Sequence, residues 1–258
     1  MLSKGGERFF DACMSYFDIC VINYFMEKNI SNTIFYFSVI LSSLLFVSFP
    51  SGEAFIVWFS TILGVLSSKM ASYGKWHMFV FDIISYVAYI YTCLTAVYFG
   101  EVVLSLIVIV INLFCLFEWK NHQKDNIIII NSLNKREINF AVFCATILLF
   151  AYSGLLHMAN TNFVILNALA TISYLLGSYF CYRRSILQFY SWIVYEIAFI
   201  TLWLISAING NIENSMFLIG GTSELIFDVL GIMNWKKYQK SQTQIFTTSF
   251  LQCKKAKW

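Results

Sequence analysis

Residues 182 to 203 read YRRSILQFYSWIVYEIAFITLW, and this stretch decides the fold class. Two arginines open it, and the apolar run that follows reaches the roughly 20 residues with which one helix crosses a hydrocarbon core about 30 Å thick. Glu196 lies near the middle, one helical turn past Trp192 and two past Phe189. The stretch therefore predicts a transmembrane helix that places a carboxyl group inside the bilayer.

The composition of the whole chain agrees with a membrane protein. Of the 258 residues 59% are hydrophobic and only 12% are charged, and the mean hydropathy is +0.70. Pro50 is the single proline, and no regular alternation of apolar and polar residues is present, which favours helices over a transmembrane barrel. A net charge of +3 is too small to indicate nucleic-acid binding.

Eight segments are long and apolar enough, or nearly so, to cross a bilayer. The predicted spans are 33–49, 54–72, 76–97, 101–119, 138–157, 161–182, 188–208 and 214–235. Residues 1–32, in which aromatic residues alternate with charges, are predicted to form an amphipathic segment on the cytoplasmic surface.

The basic residues fix an orientation for these spans. All 17 lysines and arginines lie before span 1, where span 2 turns into span 3, between spans 4 and 5, between spans 6 and 7, or after span 8. With eight spans, all of these places are on the same side of the membrane. By the positive-inside rule that side is cytoplasmic, so both termini are predicted to lie in the cytoplasm. An odd number of spans would destroy this segregation.

Four carboxyl groups are predicted to lie inside spans. Asp82 belongs to span 3, Glu196 to span 7, and Glu224 and Asp228 to span 8, where their spacing of four residues puts them on one helix face. A charge is costly in hydrocarbon, so each is a functional candidate. Two interpretations stay open: the carboxyls are protonated or hydrogen-bonded to neighbouring spans, or they line a water-accessible cavity and meet a cationic or hydroxyl-rich ligand.

Phe189, Trp192 and Glu196 follow an i, i+3, i+7 pattern and so share one face of their helix. Aromatic rings beside an acid suit a flat, positively charged ring. The sequence offers few groups for catalysis. The three histidines are predicted to lie too far apart to bind one metal ion, and no nucleotide-binding or hydrolase motif is present. We therefore predict no enzyme, no catalytic residue, no metal and no cofactor.

Four stretches resemble the PnuC family of bacterial vitamin-precursor transporters, over about residues 54 to 237. They are ILGVLSSKMASYGK at 62–75, YFGEVVLSLIVIVINLFCLFEWK at 98–120, NALATIS from Asn167, and the stretch quoted first. In that last stretch the arginine pair is followed by positions similar to the family's WxxW motif and its later polar residue. Here those positions hold Phe189, Trp192 and Glu196, and Ser85 lies near the position of the family's third-span asparagine.

The resemblance implies an all-α integral membrane fold like that of the SWEET sugar transporters, a 3+1+3 arrangement with one extra N-terminal span and eight transmembrane helices in total. Its implied parts are two parallel three-helix bundles, a linker helix between them, a cytoplasmic loop and a basic tail. They correspond to an accessory helix at 33–49, a first bundle at 54–119, a loop at 120–137, a linker at 138–157, a second bundle at 161–235 and a tail at 236–258.

The resemblance also implies uptake of nicotinamide riboside, or a related cationic vitamin precursor, by facilitated diffusion across a bacterial inner membrane, with trapping by a cytoplasmic kinase. Thiamine is the main rival cargo. A second hypothesis is a membrane receptor that binds such a cation without moving it. The sequence leaves open proton coupling and whether the protein is a homo-oligomer. The residues expected to bind the small-molecule substrate are Phe189, Trp192, Glu196, Asn112, Asn167, Asp82, Ser85 and Glu224.

Overall fold

A computed structural model describes residues 29–48, 51–95, 99–124, 127–159, 163–208 and 215–255. Eight helices occupy this part of the chain. They are α1 (Asn29–Ser48), α2 (Gly52–Ser72), α3 (Met78–Thr95), α4 (Phe99–Asn121), α5 (Lys135–Met158), α6 (Val164–Tyr182), α7 (Leu187–Ile208) and α8 (Ser215–Lys255). The predicted amphipathic segment lies mostly outside the described residues, and α1 includes its last four positions.

The protein is a multi-pass membrane protein built of helices. Six of the eight, namely α1, α2, α5, α6, α7 and α8, have stretches long and apolar enough to cross a membrane, and α3 contains a shorter apolar stretch at Met78–Tyr91. The helix ends follow local chemistry: the Ser51 side chain accepts a hydrogen bond from the amide of Ala54 at the start of α2, and Asn134 caps α5 in the same way. Residues 236–255, predicted to be a separate tail, continue α8.

Two groups of three helices form the body of the molecule. In the first, α3 packs against both α2 and α4, and in the second, α7 packs against both α6 and α8. The groups meet where α2 contacts α8 and where α4 contacts α6. Outside them, α5 packs on α6, and α1 contacts α8 through the hydroxyls of Ser38 and Ser223, 2.6 Å apart.

The two groups repeat the same turn between their first and second helices. After α2 the chain reverses through Gly74 at φ +65°, and after α6 it reverses through Arg184 at φ +56°. The amide of Lys75 donates to the carbonyl of Met70, and the amide of Ser185 donates to the carbonyl of Phe180. Both helices therefore end with the same hydrogen bond between residues five positions apart. This equivalence relates α2–α3 to α6–α7 at a constant offset of 110 residues, a repeat that is faint in the sequence.

The segment between α4 and α5 lies across these two turns. It contains a two-residue antiparallel pair, β1 (Gln123–Lys124) and β2 (Ile127–Ile128), which the all-helical prediction did not include. The amide of Ile128 donates to the carbonyl of Gly74, and the amide of Asn131 donates to the carbonyl of Arg184. We call the end of the molecule that holds both turns and this segment the loop end.

The core at the loop end consists of aromatic rings from both groups. Phe79 meets Trp119 edge-on at 5.0 Å between ring centroids, and Phe189 meets Trp235 in the same way at 5.2 Å. The two tryptophans, 5.5 Å apart, join the pairs, and all four rings are fully buried. These contacts close the space between the two helix groups at the loop end.

The connection between α6 and α7 also holds α5 in place. The Nε atom of Arg183 donates to Oε1 of Glu137 at 2.7 Å, and Nη2 donates to Oε2 at 3.2 Å. These hydrogen bonds raise the pKa of Arg183 above its ordinary value. The linker helix is therefore attached to the second group by a bidentate pair.

Candidate substrate-binding site

A cavity of about 610 Å³ lies between the two helix groups. The cavity begins near the middle of the helices and extends toward the end of the molecule opposite the loop end. There it is lined by residues from the start of α6, the end of α7 and the start of α8. Its polar lining comes from both groups: Ser60, Thr61, Asp82, Ser85, Tyr86, Tyr89, Ser105, Asn167, Thr171, Tyr174, Tyr195 and Glu224. Its volume is typical of a small-molecule site.

Asp82 and Glu224 bring carboxyl groups into this cavity from opposite helix groups. The Nδ2 atom of Asn112 donates to Oδ2 of Asp82 at 2.6 Å, and the Tyr174 hydroxyl donates to the same oxygen at 3.4 Å. These bonds join α3, α4 and α6 at one carboxyl group. Asp82 is therefore held in a defined orientation at the contact between the groups.

A second cavity of about 60 Å³ continues the first toward the loop end. The two share Asp82, Glu224 and three tyrosines, and the smaller one is also lined by Trp192, Glu196 and Asp228. Among the described residues that line either cavity, none is a lysine, arginine or histidine. The acidic side chains of the described lining therefore have no basic partner within it.

Glu196 of α7 and Glu224 of α8 both line the smaller cavity. The Oε2 atom of Glu196 is buried and has no hydrogen-bond partner among the described residues, and the same holds for Nε1 of Trp192. Both atoms are available to a ligand that enters the smaller cavity.

Two glycines permit these side chains to take their places. A Cβ atom at Gly64 would lie 2.7 Å from Oε1 of Glu224, and a Cβ atom at Gly177 would overlap the indole ring of Trp192. Each glycine therefore allows the backbone of one helix to approach a site residue on another.

Six of the eight predicted site residues line a cavity. Asp82, Ser85, Asn167 and Glu224 line the larger one, and Trp192 and Glu196 line the smaller one with the two shared acids.

Asn112 lines neither cavity but positions Asp82. Phe189 also lines neither, because its fully buried ring packs against Trp235 and against Gly231, where a Cβ atom would overlap it. In this conformation the Phe189 ring meets Trp192 edge-on, with 5.8 Å between ring centroids, and supports the closed loop end without reaching either cavity.

Most of the aromatic residues in the lining, unlike Trp192, are not among the predicted site residues. Tyr86, Tyr174 and Tyr195 contribute to both cavities, and Phe199, Trp203 and Phe217 line the larger one. One signal could have found the tyrosines: Tyr86 lies one turn from Asp82 and Tyr195 adjoins Glu196 in mid-span, whereas aromatic anchors belong at the membrane interfaces. No group of three histidine, cysteine or acidic side chains that could hold a metal occurs in the described ranges.

The helices and the site define a class of protein. A membrane-embedded bundle of two similar helix groups, with a polar cavity between them that is closed at one end, has the architecture of a transporter.

Comparison with known proteins identifies the family. The family model described as nicotinamide mononucleotide transporter matches residues 54–246, so the chain belongs to this family, which is one of transporters and not of enzymes. The crystal structure of the vitamin B3 transporter PnuC is similar, with a TM-score of 0.71 and 20% sequence identity, and the match covers 82% of this chain and 92% of that chain. The comparison with curated proteins found no match.

Proposed function

We propose that the protein takes up nicotinamide riboside or a related cationic vitamin B3 precursor. The observation that carries the proposal is the lining of the two joined cavities, which combines Asp82, Glu196 and Glu224 with aromatic rings and contains no described basic residue. An acid-lined, aromatic cavity in a membrane interior favours a flat cation, whose charge offsets the carboxylates and whose ring faces the aromatic side chains.

Each part of such a cargo has a matching group. Glu224 lines both cavities and Glu196 lines the smaller one, and the two would offset the positive ring, with the indole of Trp192 beside it. Asp82, Asn167 and the Ser85 hydroxyl line the larger cavity and would bond the hydroxyls of a ribose. Asn112 would act through Asp82, and Phe189 would reach the cargo only after the loop end has opened.

The arrangement also supports a direction and a mechanism. We expect eight spans in a SWEET-like 3+1+3 arrangement, with the loop end and both termini in the cytoplasm, because all 17 basic residues fall on that side. The larger cavity then faces outward, and the Trp119–Trp235 contact closes the cytoplasmic side. Rocking of the two helix groups would alternate access, driven by the cargo gradient, and phosphorylation by a cytoplasmic kinase would trap the cargo.

The test is uptake of labelled nicotinamide riboside and labelled thiamine, side by side, into liposomes that hold the purified protein. Glu196→Gln and Glu224→Gln should lose most of the uptake. Glu53→Gln is the matched control, because Glu53 is an exposed acid in the first turn of α2 that lines neither cavity. Uptake of thiamine alone would reassign the cargo, and binding without net flux would identify a receptor. If neither compound binds nor enters, the proposal fails.

A further inference from the structure

One face of α7 lines both cavities between the helix groups. Trp203 and Phe199 line the larger cavity, Tyr195 lines both, and Glu196 and Trp192 line the smaller one. These residues recur at intervals of three or four and therefore lie on one side of the helix. Toward the loop end this face continues with Phe189 and Gln188, three and four positions before Trp192.

Gln188 is fully buried, and within the described part of the chain neither its Nε2 nor its Oε1 atom has a hydrogen-bond partner. Nε1 of Trp192 and Oε2 of Glu196 are unpaired in the same way, so three successive turns of this face each hold a buried polar group without a partner. Unpaired buried polar groups destabilise the conformation that buries them, and in native proteins they call for a specific explanation.

The internal repeat shows where Gln188 faces. With the offset of 110 residues set by the Gly74 and Arg184 turns, Gln188 corresponds to Met78 and Trp192 corresponds to Asp82. Met78, Asp82 and Trp192 all line the smaller cavity. Three of these four equivalent positions thus line the smaller cavity. Gln188 is the fourth, and in this conformation it lies just beyond the closed end of that cavity.

We propose that Gln188 forms the cytoplasmic end of the transport path, where its amide binds hydroxyl or amide groups of the departing cargo once the loop end opens. This inference rests on the proposed function. The amide, which both donates and accepts, suits a neutral polar group, whereas the acids deeper in the path suit the charged ring. In the closed conformation the Gln188 amide has no hydrogen-bond partner among the described residues, which favours opening.

The first experiment compares Gln188→Leu with wild-type protein in the same liposomes. Leucine fills a similar volume without polar atoms, so we expect binding from the outer side within about twofold of wild type and a higher Tm, but uptake slower by about fivefold or more. Gln239→Leu is the matched control, because it makes the same substitution at a glutamine of α8 that lines neither cavity, and its uptake should match wild type. Wild-type uptake by Gln188→Leu would overturn the proposal, as would a joint fall in binding and Tm.

The second experiment needs no cargo, so it separates failure of this inference from failure of the proposed function. Gln188→Cys and Val194→Cys are treated from the cytoplasmic side with a membrane-impermeant, charged thiol reagent, with the wild-type chain as the baseline for its native cysteines. Val194 lies on the outward face of α7, with 40% of its surface exposed toward the bilayer region. We expect modification at 188 and none at 194. Protection at 188 equal to that at 194 would show that this position never joins an aqueous path.

Discussion

Trp119 and Trp235 donate their indole N–H groups to equivalent carbonyls in opposite helix groups. Nε1 of Trp119 lies 2.9 Å from the carbonyl oxygen of Cys181 at the end of α6, and Nε1 of Trp235 lies 3.1 Å from that of Ala71 at the end of α2. Cys181 and Ala71 are separated by the same 110 residues that relate the two turns. Each helix group thus donates one indole hydrogen bond to a backbone carbonyl of the other group. Together the two hydrogen bonds hold the groups in contact at the loop end.

Trp119→Phe and Trp235→Phe should destabilise the protein by similar amounts. Each substitution removes one hydrogen bond and leaves a buried carbonyl without its donor, at a cost of about 1 to 3 kcal/mol. The measurement is the apparent Tm of each variant in detergent. Because the two rings are in contact, the double variant should lose less than the sum of the single effects.

Trp58→Phe is the control for this pair. The indole of Trp58 donates to the Ser43 hydroxyl, which joins α1 to α2 and not one helix group to the other. Its loss should lower the Tm without changing cargo uptake. A harmless Trp119→Phe beside a damaging Trp235→Phe would contradict the equivalence of the two bonds.

Gly177→Ala should weaken both the fold and cargo binding. A methyl group there would overlap the indole of Trp192, and displacing a ring in a packed interior costs about 1 to 3 kcal/mol. Gly154→Ala is the matched control, since a Cβ atom at Gly154 meets nothing within 4 Å and alanine favours the helix by up to about 1 kcal/mol. Apparent Tm and cargo affinity are measured together, and a Gly177→Ala variant with unchanged affinity would argue against Trp192 as a binding residue.

Asp82 and Asn112 should show strong energetic coupling. A double-mutant cycle with Asp82→Leu and Asn112→Leu should give a coupling of about 1 to 3 kcal/mol in the free energy of unfolding, because the 2.6 Å bond is absent once either partner is changed. Ser85 bonds instead to Ser60, so a cycle of Asp82→Leu with Ser85→Ala should give a value near zero. Equal couplings in the two cycles would show that general loosening of α3, and not this bond, is being measured.

Gln242→Leu should release the segment between α4 and α5. The Gln242 amide accepts from the amide of Ile130 at 3.1 Å and donates to the carbonyl of Ile128 at 2.9 Å, so leucine removes two bonds at once. We expect faster hydrogen exchange in residues 127–132, measured by mass spectrometry.

Gln239→Leu is the comparison for Gln242→Leu. The amide of Gln239 donates to the Ser132 hydroxyl at 2.9 Å, at an exposed position. Its effect on exchange in this segment should be smaller. If Gln242→Leu leaves exchange in the segment unchanged, other contacts must hold it.

The candidate site could be predicted in part because its acids stand out against hydrocarbon. Asp82, Glu196 and Glu224 were identified from their positions in the spans alone, and the structure places all three on joined cavities. Phe189 illustrates the limit. Its spacing to Trp192 puts both on one side of α7, but Gly231 on α8 admits the ring of Phe189 into the core, and nothing local to residue 189 indicates that.

The sequence by itself determined that this protein is a multi-pass helical membrane protein and where its described helices run. Hydropathy and helix length depend on about 20 consecutive residues, so a local reading suffices. Only the tertiary structure decided which polar groups meet. Asn112 pairs with Asp82 and Trp235 with Ala71, while Gln188 is buried with no partner in the described chain. Such pairings join residues as far apart as 164 positions, and they depend on how the helix groups pack rather than on any one segment.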